Sequence, residues 1–278
     1  MSGEPALVGA YGLALDGAEA ARRFLLPASP EWPRFRIDNR IDRLERVSDR
    51  LDEDRAEIAL LSGGVLFLDR AGARAEFVTR EPLSPDELVH PGLAPVAAVT
   101  AYWLGRQSFH AGAFALGRDV WALLADREGG KSTTLAWLAA RGHPIVCDDM
   151  LVLDGDAAFS GPRILDLRSE SAQRLGVGEH RGRVGARERW RTELDAVPAG
   201  TRFRGWIFLS WGDDVAVERV RATEVLPRLV PHLGLRVPPA RPERLLELAA
   251  LPGFEFRRPR GWSRFDEAGE LLLAALAG

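Results

Sequence analysis

Residues 120–142 read VWALLADREGGKSTTLAWLAARG, and no other stretch restricts the fold of this chain so tightly. The apolar run VWALLA predicts a buried strand, and KSTTLAWLAARG predicts a helix that Gly142 can close. Only the short loop DREGG separates them. A strand that feeds a helix through so short a loop must lay that helix back across the sheet. The chain is therefore expected to be α/β rather than all-helical or all-strand.

The loop also carries chemistry. A phosphate-binding loop reads Gly, four residues, then Gly-Lys-Ser/Thr. Here Gly130, Lys131 and Ser132 fit, Ala125 stands where the first glycine belongs, and Glu128 lies inside. Backbone N–H groups at a helix start, with the helix dipole, favour an anion. Gly129 and Gly130 let the backbone come close to it. Lys131 would reach the phosphates and Ser132 would offer its hydroxyl to Mg²⁺, while Thr133 is a weaker candidate for a further contact.

Lys131 is also the only lysine in a chain whose lysines and arginines number 37. Codon bias explains abundant arginine. It does not explain why the one lysine stands in Gly-Gly-Lys-Ser-Thr, where a compact ammonium on a flexible stem suits a phosphate cradle better than a planar guanidinium. Ala125 is tolerable if its φ is negative. Glu128 is tolerable if it points away from bound phosphate, towards Arg127.

Beyond this unit the pattern continues as α/β. FHAGAFAL reads as one strand leading into the loop strand, and HPIVCDD as the strand after the loop helix. MLVLDGDAAFSGP predicts a hairpin turning at Asp154-Gly155-Asp156. LRSESAQRLG reads as a short helix and RGWIFLSWG as another buried strand. Two helical patterns follow over 222–250, then a final strand GFEFRRPR and a C-terminal helix over 264–277. Before the core, GVLFLDR and RAEFVTR predict a hairpin, and 85–105 a helix broken early by Pro91 and Pro95. The charged stretch 37–57 is expected to be a solvated face or loop. The expected organisation is an N-terminal α+β region over 1–104 packed on a core over 105–278 that ends in a helical extension.

Composition narrows the function. Hydrophobic residues make up 46% and charged residues 28%, ordinary values for a globular protein. A formal charge of −3 gives no drive towards nucleic acid or an acidic membrane, so neither is expected as a partner. No apolar run approaches the ~20 residues of a membrane span. The N-terminus has no signal-peptide pattern and Cys147 is alone, so a cytoplasmic location is expected.

Two partners for the loop stand out. Asp148-Asp149 ends the strand after the loop helix. Such a pair can divide labour, one carboxylate serving Mg²⁺ and the other accepting a proton from an attacking hydroxyl. His110 precedes the loop strand. By itself it would be passed over, like His90, His143, His180 and His232. An arginine-rich stretch (Arg181, Arg183, Arg187, Arg189, Arg191) reads as a strand edge. Arg187 or Arg189 is the choice there for a contact with phosphate or with an acidic acceptor.

The order His110-x-Gly112, Lys131-Ser132 twenty-one residues on, then Asp148-Asp149, resembles the HPr serine kinase/phosphorylase family over residues 105–175. GAFALGRDVWALLA and GHPIVCDDMLVLD are similar to the HPr-kinase-related proteins of peptide-natural-product gene clusters, some of which phosphorylate a serine of a precursor peptide. The resemblance implies the fold shared with phosphoenolpyruvate carboxykinase, a P-loop kinase core on a mixed β-sheet. It implies ATP and Mg²⁺ as cofactors, a peptide or protein Ser/Thr hydroxyl as acceptor, and assembly into a homo-oligomer. Ser132 would bind Mg²⁺, Asp149 would accept the proton, and His110 and Asp148 would support the catalytic site, Asp148 at the metal. The family's Glu-x-Arg-Gly signature is missing. Arg163, Asp166 and Glu170 lie in its region without fitting it, which leaves the second metal ligand unassigned and the phosphorylase activity with little support. A small-molecule kinase and a non-catalytic nucleotide-binding module are the alternatives.

Overall fold

The computed structural model describes residues 7–42, 48–197 and 201–277. It is a mixed α/β structure with several sheets. The N-terminal strands are β1 (Val8–Ala10), β2 (Leu13–Asp16), β3 (Leu26–Pro27), β4 (Arg34–Ile41), β5 (Arg50–Leu51), β6 (Arg55–Ala59), β7 (Val65–Asp69) and β8 (Arg74–Thr79). They form one sheet in the order β3-β1-β2-β4-β8-β7-β6-β5. The expected hairpin is present: β7 and β8 pair antiparallel from Val65↔Val78 to Asp69↔Arg74.

Of the two readings of the charged stretch 37–57, the solvated face holds and the loop does not, because its described part lies largely in β4, β5 and β6 with most side chains exposed (residues 43–47 fall outside the described residues). The strand alternation is clear in β4, where Phe35 and Ile37 are buried between outward charges. Those charges pair with one another. Asp38 accepts from Arg36 at 2.9 Å and from Arg74 of β8 at 2.6 Å. Cross-strand pairing of opposite charges stabilises a sheet face that composition alone assigns to solvent.

Ser84 and Glu87 form a capping box that opens α1 (Pro85–Glu87). The chain kinks at His90 (φ −155°, ψ 121°) before Pro91. Helix α2 (Leu93–Trp103) then runs unbroken and mostly buried. Pro95, expected to break this segment, lies in the first turn of α2, where its missing N–H would be unpaired anyway.

The core elements follow in order: β9 (Gln107–Phe109), β10 (Gly112–Leu116), β11 (Asp119–Leu124), α3 (Lys131–Ala140), β12 (Ile145–Cys147), β13 (Leu151–Asp154), β14 (Ala157–Phe159), β15 (Ile164–Leu167), α4 (Ser169–Leu175), β16 (Glu179–Val184) and β17 (Arg187–Glu193). Then come β18 (Arg202–Trp211), β19 (Ala216–Arg219), α5 (Ala222–Leu229), α6 (Pro242–Ala249), β20 (Gly253–Arg258) and α7 (Phe265–Ala277). The central sheet has the order β12-β10-β11-β18-β20-β19, with β11-β18 and β18-β20 parallel and the other neighbours antiparallel.

FHAGAFAL is two strands. β9 pairs with β13 in a separate sheet, and the chain crosses to the central sheet at His110-Ala111. Gly112 starts the new strand because a methyl there would collide with Leu135 of α3 and stand 3.1 Å from the Asp148 carbonyl oxygen. β19, which the sequence reading missed, is only four residues long and half-exposed.

Helices cover both faces of the central sheet. α3 and α7 bury Trp137, Phe265 and Leu272 on one face. α5 and α6 bury Val225, Leu229, Leu245 and Leu248 with Trp206 on the other. A further cluster joins the N-terminal sheet and α2 to Met150, Val152 and Ile164, so the two halves of the chain share one core. Among the described residues, no helix is long and apolar enough to cross a membrane.

Candidate functional site

The glycine loop joins β11 to α3 as expected. Gly130 is the N-cap of α3 with φ +84°, and no side chain caps the helix. Its first N–H groups are thus available to an external anion. Ala125 is not among the residues with positive φ; Glu128 (φ 69°) is. The lost first glycine therefore costs no backbone strain.

Glu128 points to a different partner from the expected one. Its Oε1 accepts from Arg168 Nη2 at 2.8 Å rather than pairing with Arg127. Arg168 holds the Glu128 carboxyl below its ordinary range, with smaller help from Arg127 and Arg187. Thr133 turns its hydroxyl to Ser171 of α4, 2.9 Å away, which tethers α3 to α4. Thr134 Oγ1 donates to the Gly130 carbonyl at 3.0 Å.

The residues singled out around the loop converge. Ser132 Oγ donates to Asp148 Oδ1 at 2.8 Å, and the Asp166 backbone N–H donates to Asp148 Oδ2 at 3.3 Å. Lys131 Nζ lies 3.5 Å from His110 Nε2. The other nitrogen of that ring, Nδ1, lies 3.2 Å from Asp149 Oδ1. Asp149 Oδ2 is 3.9 Å from His90 Nδ1, and His90 Nε2 is 3.3 Å from Arg189 Nη2. Lys131, His110, Asp149, His90 and Arg189 thus form one chain of polar contacts. The break between β9 and β10 puts His110 in it, and the kink before α2 brings in His90.

The electrostatics separate the two carboxylates. Burial pushes the Asp148 carboxyl up, and Lys131, His90 and Ser132 only partly offset this. Burial also acts against ionised Asp149, but His90, His110, Lys131 and Arg189 outweigh it and hold that carboxyl below its ordinary range. His110 is pushed down by burial and by Lys131, with Asp149 opposing. A neutral His110 with its proton on Nδ1 satisfies both contacts: it donates to Asp149 and accepts from Lys131. Burial also pushes up the Cys147 thiol and the Tyr11 hydroxyl, both beside this pair, so neither is a ready nucleophile.

Sequence reasoning passed over His90, because a histidine beside a proline carries no signal until a fold brings it to a carboxylate. It also missed Arg191, which is fully buried and not at a solvated edge. Arg191 Nε and Nη2 each donate to the Asp166 carboxylate at 2.8 Å, and Nη1 donates to Asp86 Oδ1 at 2.7 Å. Arg163 and Glu170 are occupied elsewhere, with the Arg23 carbonyl at 2.7 Å and with Trp262 Nε1 at 3.0 Å. Arg258 is buried beneath the loop, its guanidinium over the rings of Trp211 and Phe265 and its Nη2 3.5 Å from the Gly130 oxygen.

Among the described residues, no group of three or more His, Cys, Asp or Glu could by itself hold a metal ion. Mg²⁺ does not need one, since it keeps waters and takes one or two protein ligands beside phosphate oxygens. The Ser132 hydroxyl and the adjacent Asp148 carboxylate fit that requirement. Asp148 is also a partly buried carboxylate that a cation would stabilise.

No protein-family model matches the chain, and no curated protein matches it either. Among solved structures, the HPr(Ser) kinase/phosphatase from Coxiella burnetii is similar at a TM-score of 0.29 and 14% identity, covering 62% of this chain and 97% of that one.

Proposed function

We propose that the protein is an ATP-dependent kinase of the P-loop type that transfers the γ-phosphoryl group to a serine or threonine hydroxyl on a peptide or protein. One observation carries the reading: the glycine-loop pair Lys131-Ser132 meets both members of the Asp148-Asp149 pair, one through the Ser132–Asp148 hydrogen bond at 2.8 Å and the other through His110. A loop that only bound an anion would not need two carboxylates at its rim, because bare carboxylates repel phosphate.

In this reading the uncapped N–H groups of α3 and the Lys131 ammonium hold the phosphates. Mg²⁺, when bound through Ser132 and Asp148, neutralises charge on them. Asp149 orients the acceptor hydroxyl and takes its proton. The neighbours that depress its pKa keep it ionised at neutral pH. They also make it a weak base, which suffices where the proton leaves late in a loose transition state. His110 and His90 fix its two oxygens. Positioning and electrostatics do most of the work in such a reaction.

The test is purified protein with Mg-[γ-³²P]ATP and serine-containing peptides. Label should pass to serine, and Lys131→Ala should abolish both labelling and the nucleotide-induced rise in melting temperature. ATP binding without transfer to any peptide, with Asp149→Asn indistinguishable from wild type, would leave a nucleotide-binding module instead.

A further inference from the structure

We propose that the acceptor carries acidic residues beside its hydroxyl and that a row of arginines on β17, together with Arg127 and Arg168 at the mouth of the glycine loop, binds them; this rests on the kinase reading above.

Side chains two apart on a strand share a face, so Arg187, Arg189 and Arg191 point the same way. The alternate residues turn to the opposite face of the sheet, where Glu188 Oε1 lies 3.0 Å from His180 Nε2 of the neighbouring strand. Along the arginine row, anionic compensation falls step by step. Arg191, innermost and 0% exposed, is saturated by Asp166 and Asp86. Arg189 reaches only His90 at 3.3 Å, a neighbour of Asp149, and its buried Nε has no partner among the described residues. The side chain of Arg187, half-buried at the outer end, makes no hydrogen bond or ion pair among the described residues. Arg168 meets Glu128 of the glycine loop at 2.8 Å, beside Arg127 in the chain, and after burial the charges of Arg127, Arg168 and Arg189 push the Arg187 guanidinium down.

Four guanidinium groups therefore lie within electrostatic reach of one another, and among the described residues their one ion pair with a carboxylate joins Arg168 to Glu128 at 2.8 Å. In a chain whose formal charge is −3, this is a local reversal of sign. Like charges are held together at a cost unless a ligand relieves them. The patch begins at the proton-accepting carboxylate through His90 and Arg189, then runs outward. That is the path an extended segment takes on either side of a phosphorylated residue. Glu128 occupies one of the sites its carboxylates would fill. The terminal phosphate of the nucleotide is the rival source of the anion, and the experiment separates the two.

Binding of a fluorescein-labelled serine peptide flanked by aspartates is compared, by anisotropy, with that of the same peptide bearing asparagines, at constant Mg-ATP analogue. Arg187→Gln removes a guanidinium that makes no side-chain hydrogen bond or ion pair among the described residues. It is expected to weaken the acidic peptide about fivefold, to leave the asparagine peptide unchanged and to flatten the salt dependence. Glu128→Gln should act in the opposite direction and tighten the acidic peptide. Equal affinity for the two peptides in wild type would overturn the proposal, as would a loss in Arg187→Gln confined to nucleotide affinity. Failure of the kinase reading is seen separately, as absence of Lys131-dependent nucleotide binding.

Discussion

Replacing Arg191 with methionine should expose how the site is braced. Asp166 is 1% exposed, and its carboxylate accepts both of its 2.8 Å side-chain bonds from Arg191. Without that guanidinium, Asp166 is left as a buried carboxylate without a cation, at a cost of about 3–5 kcal/mol. A loss of about 4 kcal/mol corresponds to a fall of about 8–16 °C in melting temperature. Urea unfolding followed by tryptophan fluorescence measures it, and Asp166→Asn in the same chain should recover most of the loss. A penalty below about 1 kcal/mol at pH 7 would refute the reasoning, since it would mean that water reaches Asp166.

Asp148→Asn should raise the stability of the nucleotide-free protein by about 1 kcal/mol, because burial disfavours the charge it removes. It should also abolish Mg²⁺-dependent transfer; calorimetry and the labelling assay read the two effects, and a destabilised Asp148→Asn would contradict the first. Because burial and Lys131 push His110 down, the neutral ring persists below its ordinary titration range. Transfer should hold from neutral pH past about 6.5 and fall as the folded-state pKa is crossed, whereas stability should start to fall near 6.5, where the unfolded ring takes up a proton that the folded one does not, and level off below the folded-state pKa. A pH–rate profile shows it, and Asn at position 110 should remove that acid limb.

Much of the site was legible in the sequence because its parts are local. A strand, a glycine loop and a helix are contiguous, and their chemistry is written in the order Gly130, Lys131, Ser132. Asp148-Asp149 could be placed because it ends the next strand. Glu128 was a harder case. The sequence showed that it must turn from phosphate but supplied the wrong partner, because Arg168 is forty residues away and reaches it only through the fold. The N-terminal sheet was obscured for the opposite reason. Its strands carry outward charges whose partners lie on neighbouring strands, as in Arg74–Asp38, so the stretch has the composition of a loop.

The least legible residues are those that tie the two halves of the chain together. Asp86 and His90 precede α2, yet they meet Arg191 at 2.7 Å and Asp149 at 3.9 Å. Each contact alone is weak evidence of purpose. Together they connect the segment before α2 to both carboxylates of the pair, through Arg191, Asp166 and the Asp166 N–H on Asp148, and directly through His90. The same segment packs Leu88 and Val89 into the cluster that holds Met150 and Val152, the first residues after that pair. The N-terminal region is therefore more than a cover on the core. It positions the rim of the glycine loop, and a shift of the kink at His90 would be felt first at Asp149.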